Sequence, residues 1–186
     1  MNSELRIKNV TEDGFTLMEL LIYTALFVII SVVTISLFIQ IVSVTETYRR
    51  NRESLDNARR AMDVITQEIK HAKSVYTPTS VLGSHPGQLS LETTRDADAE
   101  TIKETTTYVD FYLDADHLYL KREGQNSPQI ITSEKVKVSN LVFTLLNNSG
   151  TGNPTIRTQI TVVYADPIHG STNSVSLVST TSLRSY

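Results

Sequence analysis

From Phe15 to Thr77 the chain runs for 63 residues without a glycine or a proline. No other feature limits its fold as strongly, because those two residues are the chief interrupters of a helix, costing about 1 and 3 kcal/mol in its interior. The stretch has two characters. Phe15 to Val44 is apolar nearly all round, 30 residues whose only formal charge is Glu19. At about 1.5 Å per residue it spans roughly 45 Å as a helix, against a hydrocarbon core of ~30 Å. It is long enough to cross a membrane with several turns left over for packing against other helices. A secretory signal has an apolar core of only about 7–15 residues and a small-residue cleavage site after it, which is not the pattern here.

The second part is amphipathic. Tyr48, Leu55, Ala58, Met62, Ile65, Ile69, Ala72 and Tyr76 follow one another at helical steps, with Asn51 in the one polar gap. That is one face of a helix, read first as packing on the protein's own sheet and second as a surface for a partner helix. Glu46–Arg50, Arg49–Glu53, Arg52–Asp56 and Arg59–Asp63 are four-residue pairs, and seven basic residues meet five acidic ones between Glu46 and Lys73. Such balance predicts a solvated, self-paired face. Arg49, Arg50 and Arg52 also suit lipid phosphate at a membrane surface; a direct nucleic-acid contact is the lesser reading. Ser31, Thr34 and Ser36 can bond back to the preceding turn, so one continuous, gently curved helix to Thr77 is expected.

Beyond Pro78 the period changes from 3.6 to 2. Gln88–Thr94, Thr105–Leu113, His117–Arg122, Gln129–Thr132, Lys135–Leu146, Thr155–Ala165 and Ser174–Leu183 alternate, are rich in Thr, Val, Ile and Tyr, and are separated by turn clusters. Asp114-Ala115-Asp116 reads as a short turn between hairpin strands. In Lys135–Leu146 the apolar parity flips between Val138 and Leu141, which predicts a bulge or bend. A twisted, mainly antiparallel sheet covering the amphipathic half of the helix buries both apolar faces. The expected class is α+β, since no second long helix alternates with the strands. The expected organisation is a leader (1–14), a membrane helix (15–44), its amphipathic continuation (45–77) and a β-rich domain (78–186).

A chain of 186 residues fits one domain plus an anchor. It has no cysteine, so no disulfide framework holds it. The formal net charge is −3; residues 1–14 contribute −1 (Arg6 and Lys8 against Glu4, Glu12 and Asp13), leaving −2 for the rest. This is no strongly basic nucleic-acid protein. Counted by Lys and Arg, the positive-inside rule favours the Arg49–Arg52 side over the leader.

A search for catalysis finds no cysteine nucleophile, no His-Glu-x-x-His, no Gly-x-Ser-x-Gly and no phosphate-cradling glycine loop with a lysine. Gly83-Ser84-His85-Pro86-Gly87 reads as a turn, and His71, His85, His117 and His169 are scattered. Asp96, Asp98 and Glu100 alternate as hard oxygen ligands for calcium would, but an EF-hand loop needs glycine where Thr101 stands; a solvated acidic loop is the first reading. No enzyme, no cofactor and no metal are expected.

One junction remains: Gly14-Phe15-Thr16-Leu17-Met18-Glu19. A short charged leader ends at Gly14, and Glu19 stands inside the apolar run. A carboxylate at the centre of a membrane helix costs about 2.5–3.5 kcal/mol or more and suggests a function. Glu19 either reaches the headgroup level or pairs with a cation in an assembled helix bundle. This junction resembles the prepilin processing site of type IV pilins and type II secretion pseudopilins, over about ten residues. The resemblance implies a pilin-like fold, cleavage between Gly14 and Phe15 by prepilin peptidase, and N-methylation of Phe15. It also implies pairing of Glu19 with the terminal amine of a neighbouring subunit. Partners would then be other pilin or pseudopilin subunits, met through Phe15–Val44, and cytoplasmic-membrane lipid. The product would be a single-pass inner-membrane protein with its domain outside the cytoplasm, later drawn into a pilus or pseudopilus. Arg59-Arg60-Ala61-Met62-Asp63-Val64-Ile65-Thr66-Gln67-Glu68-Ile69 is similar to the helix of J-type minor pseudopilins and W-type minor pilins, which implies a role at the tip or in priming. A non-polymerising, membrane-anchored sensor or binding domain is the alternative reading.

Overall fold

The computed structural model describes residues 14–96, 104–146, 153–165 and 174–184. One helix, α1 (Leu17–His71), precedes eight strands: β1 (Ser74–Val75), β2 (Leu89–Asp96), β3 (Glu104–Asp114), β4 (His117–Arg122), β5 (Gln129–Ile130), β6 (Val136–Leu146), β7 (Thr155–Tyr164) and β8 (Ser174–Ser182). The class is α+β, and every strand pair is antiparallel. By compactness the chain divides into Met1–Glu46 and Thr47–Tyr186.

The first unit contains the part of α1 that is long and apolar enough to cross a membrane. Its side chains have no cover from the protein itself: Phe27 and Phe38 are each 71% exposed. A surface this apolar requires lipid or other helices around it. Two of the three hydroxyls expected to bond back do so, Ser36 making no such bond among the described residues. Ser31 Oγ donates to the Phe27 carbonyl and Thr34 Oγ1 to the Ile30 carbonyl, both at 2.8 Å, so neither leaves an unpaired donor on the apolar surface.

In the second unit the helix buries Ser54, Asn57, Ala58, Ala61, Met62, Ile65 and Ile69. Ala58 and Ala61 are completely buried in the core. Tyr48, expected on this face, is 72% exposed, so the core begins about two turns later than the spacing predicts. Asn57 enters it as a polar anchor: its Oδ1 accepts from the Ser133 backbone N–H at 2.9 Å, and its Nδ2 donates to the Glu53 carbonyl. Arg52–Asp56 forms its predicted ion pair at 3.7 Å on the exposed side.

The helix stops at His71, not Thr77. Nothing in 72–77 forbids helix; strand pairing overrides it. Lys73 N–H reaches the Glu92 carbonyl at 2.8 Å and Tyr76 N–H the Ser90 carbonyl at 2.9 Å, so this segment joins β2 as β1. Gln129–Thr132 likewise contributes only Gln129–Ile130 as strand. The single sheet expected is two: a five-stranded sheet in the order β1-β2-β3-β4-β5 and a three-stranded sheet in the order β6-β7-β8. Leu89, Leu91, Val109, Phe111, Leu118 and Leu120 from the first share one core with Val136, Val138, Leu141, Phe143, Ile156 and Ile160 from the second and with the helix. Arg122 of β4 meets Glu68 of α1 in a part-buried ion pair that ties helix to sheet.

The parity flip in β6 is a bulge. Val138 faces Val162 and Asn140 faces Thr161, with Ser139 extra. It keeps Val136 and Val138 on one side of it, and Leu141 and Phe143 on the other, all buried. The edges are treated unequally. β1 and β5 are two residues long. The outer edge of β6 is covered by the 83–87 loop, whose Gly83 and Gly87 N–H groups bond to Phe143 and Leu141 carbonyls at 2.8 and 2.9 Å. A side chain at Gly87 would meet the Leu141 oxygen at 2.9 Å, which is why glycine stands there. β8 pairs with β7 alone among the described residues, and carries no charge and no proline over nine residues.

The β3–β4 hairpin closes on Ala115 and Asp116 with φ of 46° and 64°. Two left-handed residues make the turn that best matches strand twist, but alanine is a poor occupant of the first position. Ala115→Asn is expected to raise stability by about 0.5–1 kcal/mol, read as a higher urea midpoint.

Candidate functional site

The N-terminus of α1 is built by Thr16. Its Oγ1 accepts from the Glu19 N–H at 3.3 Å, and its carbonyl accepts from the Glu19 and Leu20 N–H groups at 3.0 and 3.2 Å. Thr16-Leu17-Met18-Glu19 thus has the residues of a capping box, a signal the sequence reading passed over. Glu19 sits on the first turn, where a negative charge also complements the helix dipole. Tyr23, one turn further, donates its hydroxyl to Glu19 Oε1 at 3.1 Å. Tyr23 is also met edge-on by the Phe15 ring, with centroids 6.2 Å apart at 73°. Phe15, Glu19 and Tyr23 therefore form one face at i, i+4 and i+8. Among the described residues no hydrogen bond reaches Glu19 Oε2, which keeps that oxygen open to a partner.

Just outside the cap lie Gly14 and Phe15, both exposed; Phe15 is 76% so. Its chain neighbours aside, no atom among the described residues lies within 4 Å of where a Cβ on Gly14 would stand. The peptide between them lies on exposed, non-helical backbone directly ahead of the apolar helix. Residues 1–13 lie outside the described residues.

The remaining chemistry-bearing side chains do not gather. His85 Nδ1 accepts from the Leu141 N–H at 3.0 Å and holds the 83–87 loop on β6; His71 Nδ1 lies 2.7 Å from the Gln67 carbonyl. His117 Nδ1 is buried with no hydrogen-bond partner among the described residues. Asp98, Glu100 and His169 lie outside the described residues, and Asp96 ends β2 in register with Glu104. Among the described residues no three His, Cys, Asp or Glu side chains converge as a metal site would require.

One feature was not singled out from the sequence. The face of the five-stranded sheet opposite its buried Val109, Phe111, Leu118 and Leu120 carries Tyr108, Asp110 and Tyr112 on β3 and Tyr119, Lys121 and Glu123 along and just past β4. Tyr112 stacks on Tyr119 at 5.8 Å and 15°, and Tyr108 meets Tyr76 at 5.0 Å and 58°. Burial, then the charges of Asp114, Tyr119 and Asp110, push the Tyr112 hydroxyl above the usual tyrosine range. Its proton is held more tightly folded than unfolded. That contribution is intact below the unfolded pKa near 10 and is lost as pH climbs through the folded value. Urea midpoints measured at about pH 9 and about pH 11 should fall less in Tyr112→Phe than in the parent chain.

No family model matches the chain, and neither a curated protein nor a solved structure does.

Proposed function

We propose that the chain is a minor pilin or pseudopilin, a structural subunit made as a membrane-anchored precursor and assembled into a type IV pilus or a secretion or DNA-uptake pseudopilus, at its tip or in its priming. The observation that carries this reading is the exposed Gly14–Phe15 peptide one residue ahead of the helix cap, with Glu19 on the first turn and one carboxylate oxygen open. Prepilin peptidase cuts there and the new amine on Phe15 is methylated, which leaves it basic. Inside a bundle of apolar helices that cation meets Glu19 of a neighbouring subunit. An uncut chain has an amide at this position and offers no charge. Desolvation offsets much of the attraction, so the pair sets register more than raw stability. The apolar half anchors the chain in the inner membrane until the helix moves into the filament core, and the β-rich domain faces outward.

A second reading is favoured by the local contacts of Glu19. A carboxylate that accepts from Tyr23 one turn along already has a structural task. A single-pass anchored binding domain that never polymerises needs nothing more. The mature N-terminus separates the two. Mass spectrometry of the membrane-extracted chain is expected to find loss of residues 1–14 and an N-methyl group on Phe15. An intact Met1 would overturn the assembly reading and leave the second.

A further inference from the structure

We propose that the outer face of the five-stranded sheet binds an extended, uncharged glycan, with one pyranose ring seated at Tyr76 and Tyr108 and the chain lying along β3 toward Tyr112 and Tyr119. The proposal stands apart from the assembly reading, because every residue it uses lies in the β-rich unit, far along the chain from Gly14.

The site is a cleft of about 280 Å³ lined by Tyr76, Thr79, Tyr108, Asp110, Lys121 and Glu123. That is close to the lower end of the ~300–1,000 Å³ usual for small-molecule sites, so it suits a single ring. A pyranose presents an apolar C–H face and a rim of hydroxyls, each both donor and acceptor. It therefore needs an aromatic wall with both acceptors and donors beside it. The tilted Tyr76–Tyr108 pair supplies the wall. Asp110 supplies a carboxylate and Lys121 an ammonium group. They face each other across β3 and β4 in register, and neither side chain makes a hydrogen bond or ion pair among the described residues. Glu123 accepts the Tyr108 N–H through Oε2, which leaves Oε1. Thr79 donates to Ser90 and its oxygen remains an acceptor.

Charge narrows the ligand. Two carboxylates against one ammonium disfavour polyanions, nucleic acid included. A neighbouring cleft of about 300 Å³ around Thr93, Thr107 and Gln125 lacks these features: its cation, Arg122, is already committed to Glu68. The tyrosines also recur. Tyr108 and Tyr112 share a face four residues apart, roughly 13 Å along a strand, a separation that a short run of linked pyranose rings bridges. Tyrosine rings offer large, rigid contact area at little entropic cost, which suits a flexible, weakly apolar chain.

The test uses the full chain in a detergent without a sugar headgroup. The probes are cellohexaose, maltohexaose and chitohexaose with their disaccharides, and binding is read by calorimetry and tyrosine fluorescence, the chain having eight Tyr and no Trp. At least one hexasaccharide is expected to saturate with Kd on the order of 0.1–1 mM, several-fold tighter than its disaccharide. Tyr108→Ala should weaken it about tenfold, Tyr108→Phe should stay close to the parent, and Tyr112→Ala should erase the advantage of the longer probe. Tyr76→Ala, on the rim, guards against a folding defect at Tyr108. Three results would each overturn the proposal. None of the hexasaccharides binds at about 10 mM; binding is unchanged in both Tyr108→Ala and Tyr76→Ala; or those variants keep glycan binding and lose a co-purifying protein instead.

Discussion

Glu19→Ala, on the proposed assembly reading, is expected to leave the chain folded and membrane-bound while its recovery in sheared filaments falls by about 100-fold or more. The magnitude follows from what the change leaves behind. In the assembled bundle the Phe15 amine of a neighbour would lie in an apolar surround with its counter-charge deleted, and breaking a buried pair in this way costs about 3–5 kcal/mol. The β-rich unit has its own core and does not involve Glu19, so its urea midpoint should not move. Alanine, however, also removes the carboxylate that accepts from Tyr23, while the backbone N–H at position 19 still bonds Thr16 Oγ1. Glu19→Gln separates the two roles. Glutamine still accepts from Tyr23, but it has no charge. If pairing with an amine is the task, Gln fails like Ala. If the Tyr23 contact is the task, Gln restores incorporation and the ion-pair mechanism is wrong.

Phe143→Ala should cost the β-rich unit about 3–5 kcal/mol, much of a domain's usual ~5–15 kcal/mol. Phe143 is fully buried on β6 just past the bulge, and its ring packs 3.1 Å from where a side chain on Gly87 would begin. The surroundings resist collapse into the space left behind. Gly87 is tied to the Leu141 carbonyl, and Gly83 to that of Phe143 itself, so the loop cannot slide inward without breaking those bonds. Phe143→Leu should lose about half as much. Urea unfolding followed by circular dichroism gives the measurement. A loss under about 1 kcal/mol would mean that the core repacks freely and that the loop is not the rigid cover described here.

Much of this architecture is legible because its signals are local. Period-two alternation located β2, β3, β4, β6, β7 and β8 to within two residues, since one face of each strand is buried and the other is not. The bulge at Ser139 was readable for the same reason: an extra residue shows as a change of parity. What escaped depends on partners distant in sequence. Ser74–Val75 has no helix breaker, and only the edge of β2 draws it out of the helix. Tyr48 carries the helical period, but nothing in the spacing says where the strands stop covering the helix. Nothing local marks Asn57 as buried, because its partner, the Ser133 N–H, is 76 residues away. The strand order that makes two sheets of seven predicted segments is likewise a long-range matter. At the junction, Glu19 stood out as a lone charge in an apolar run, and Gly14 and Phe15 through the resemblance; the spacing of Thr16 and Glu19 was legible in the sequence, whereas Tyr23 became visible only once the first turn was formed.

The margin of β8, which has no second strand partner among the described residues, would have a cost for a chain anchored, as proposed, in a crowded two-dimensional sheet of lipid. An uncharged, proline-free strand with open backbone groups is a template for any other extended chain, including unfinished copies of itself. Stockpiling is therefore penalised: twice the copies mean about four times the chance encounters between margins. A lysine at Val178, outward-facing at the middle of that strand, would slow such clumping without touching the core. A cell that keeps the natural residue is better served by making few copies and using each promptly.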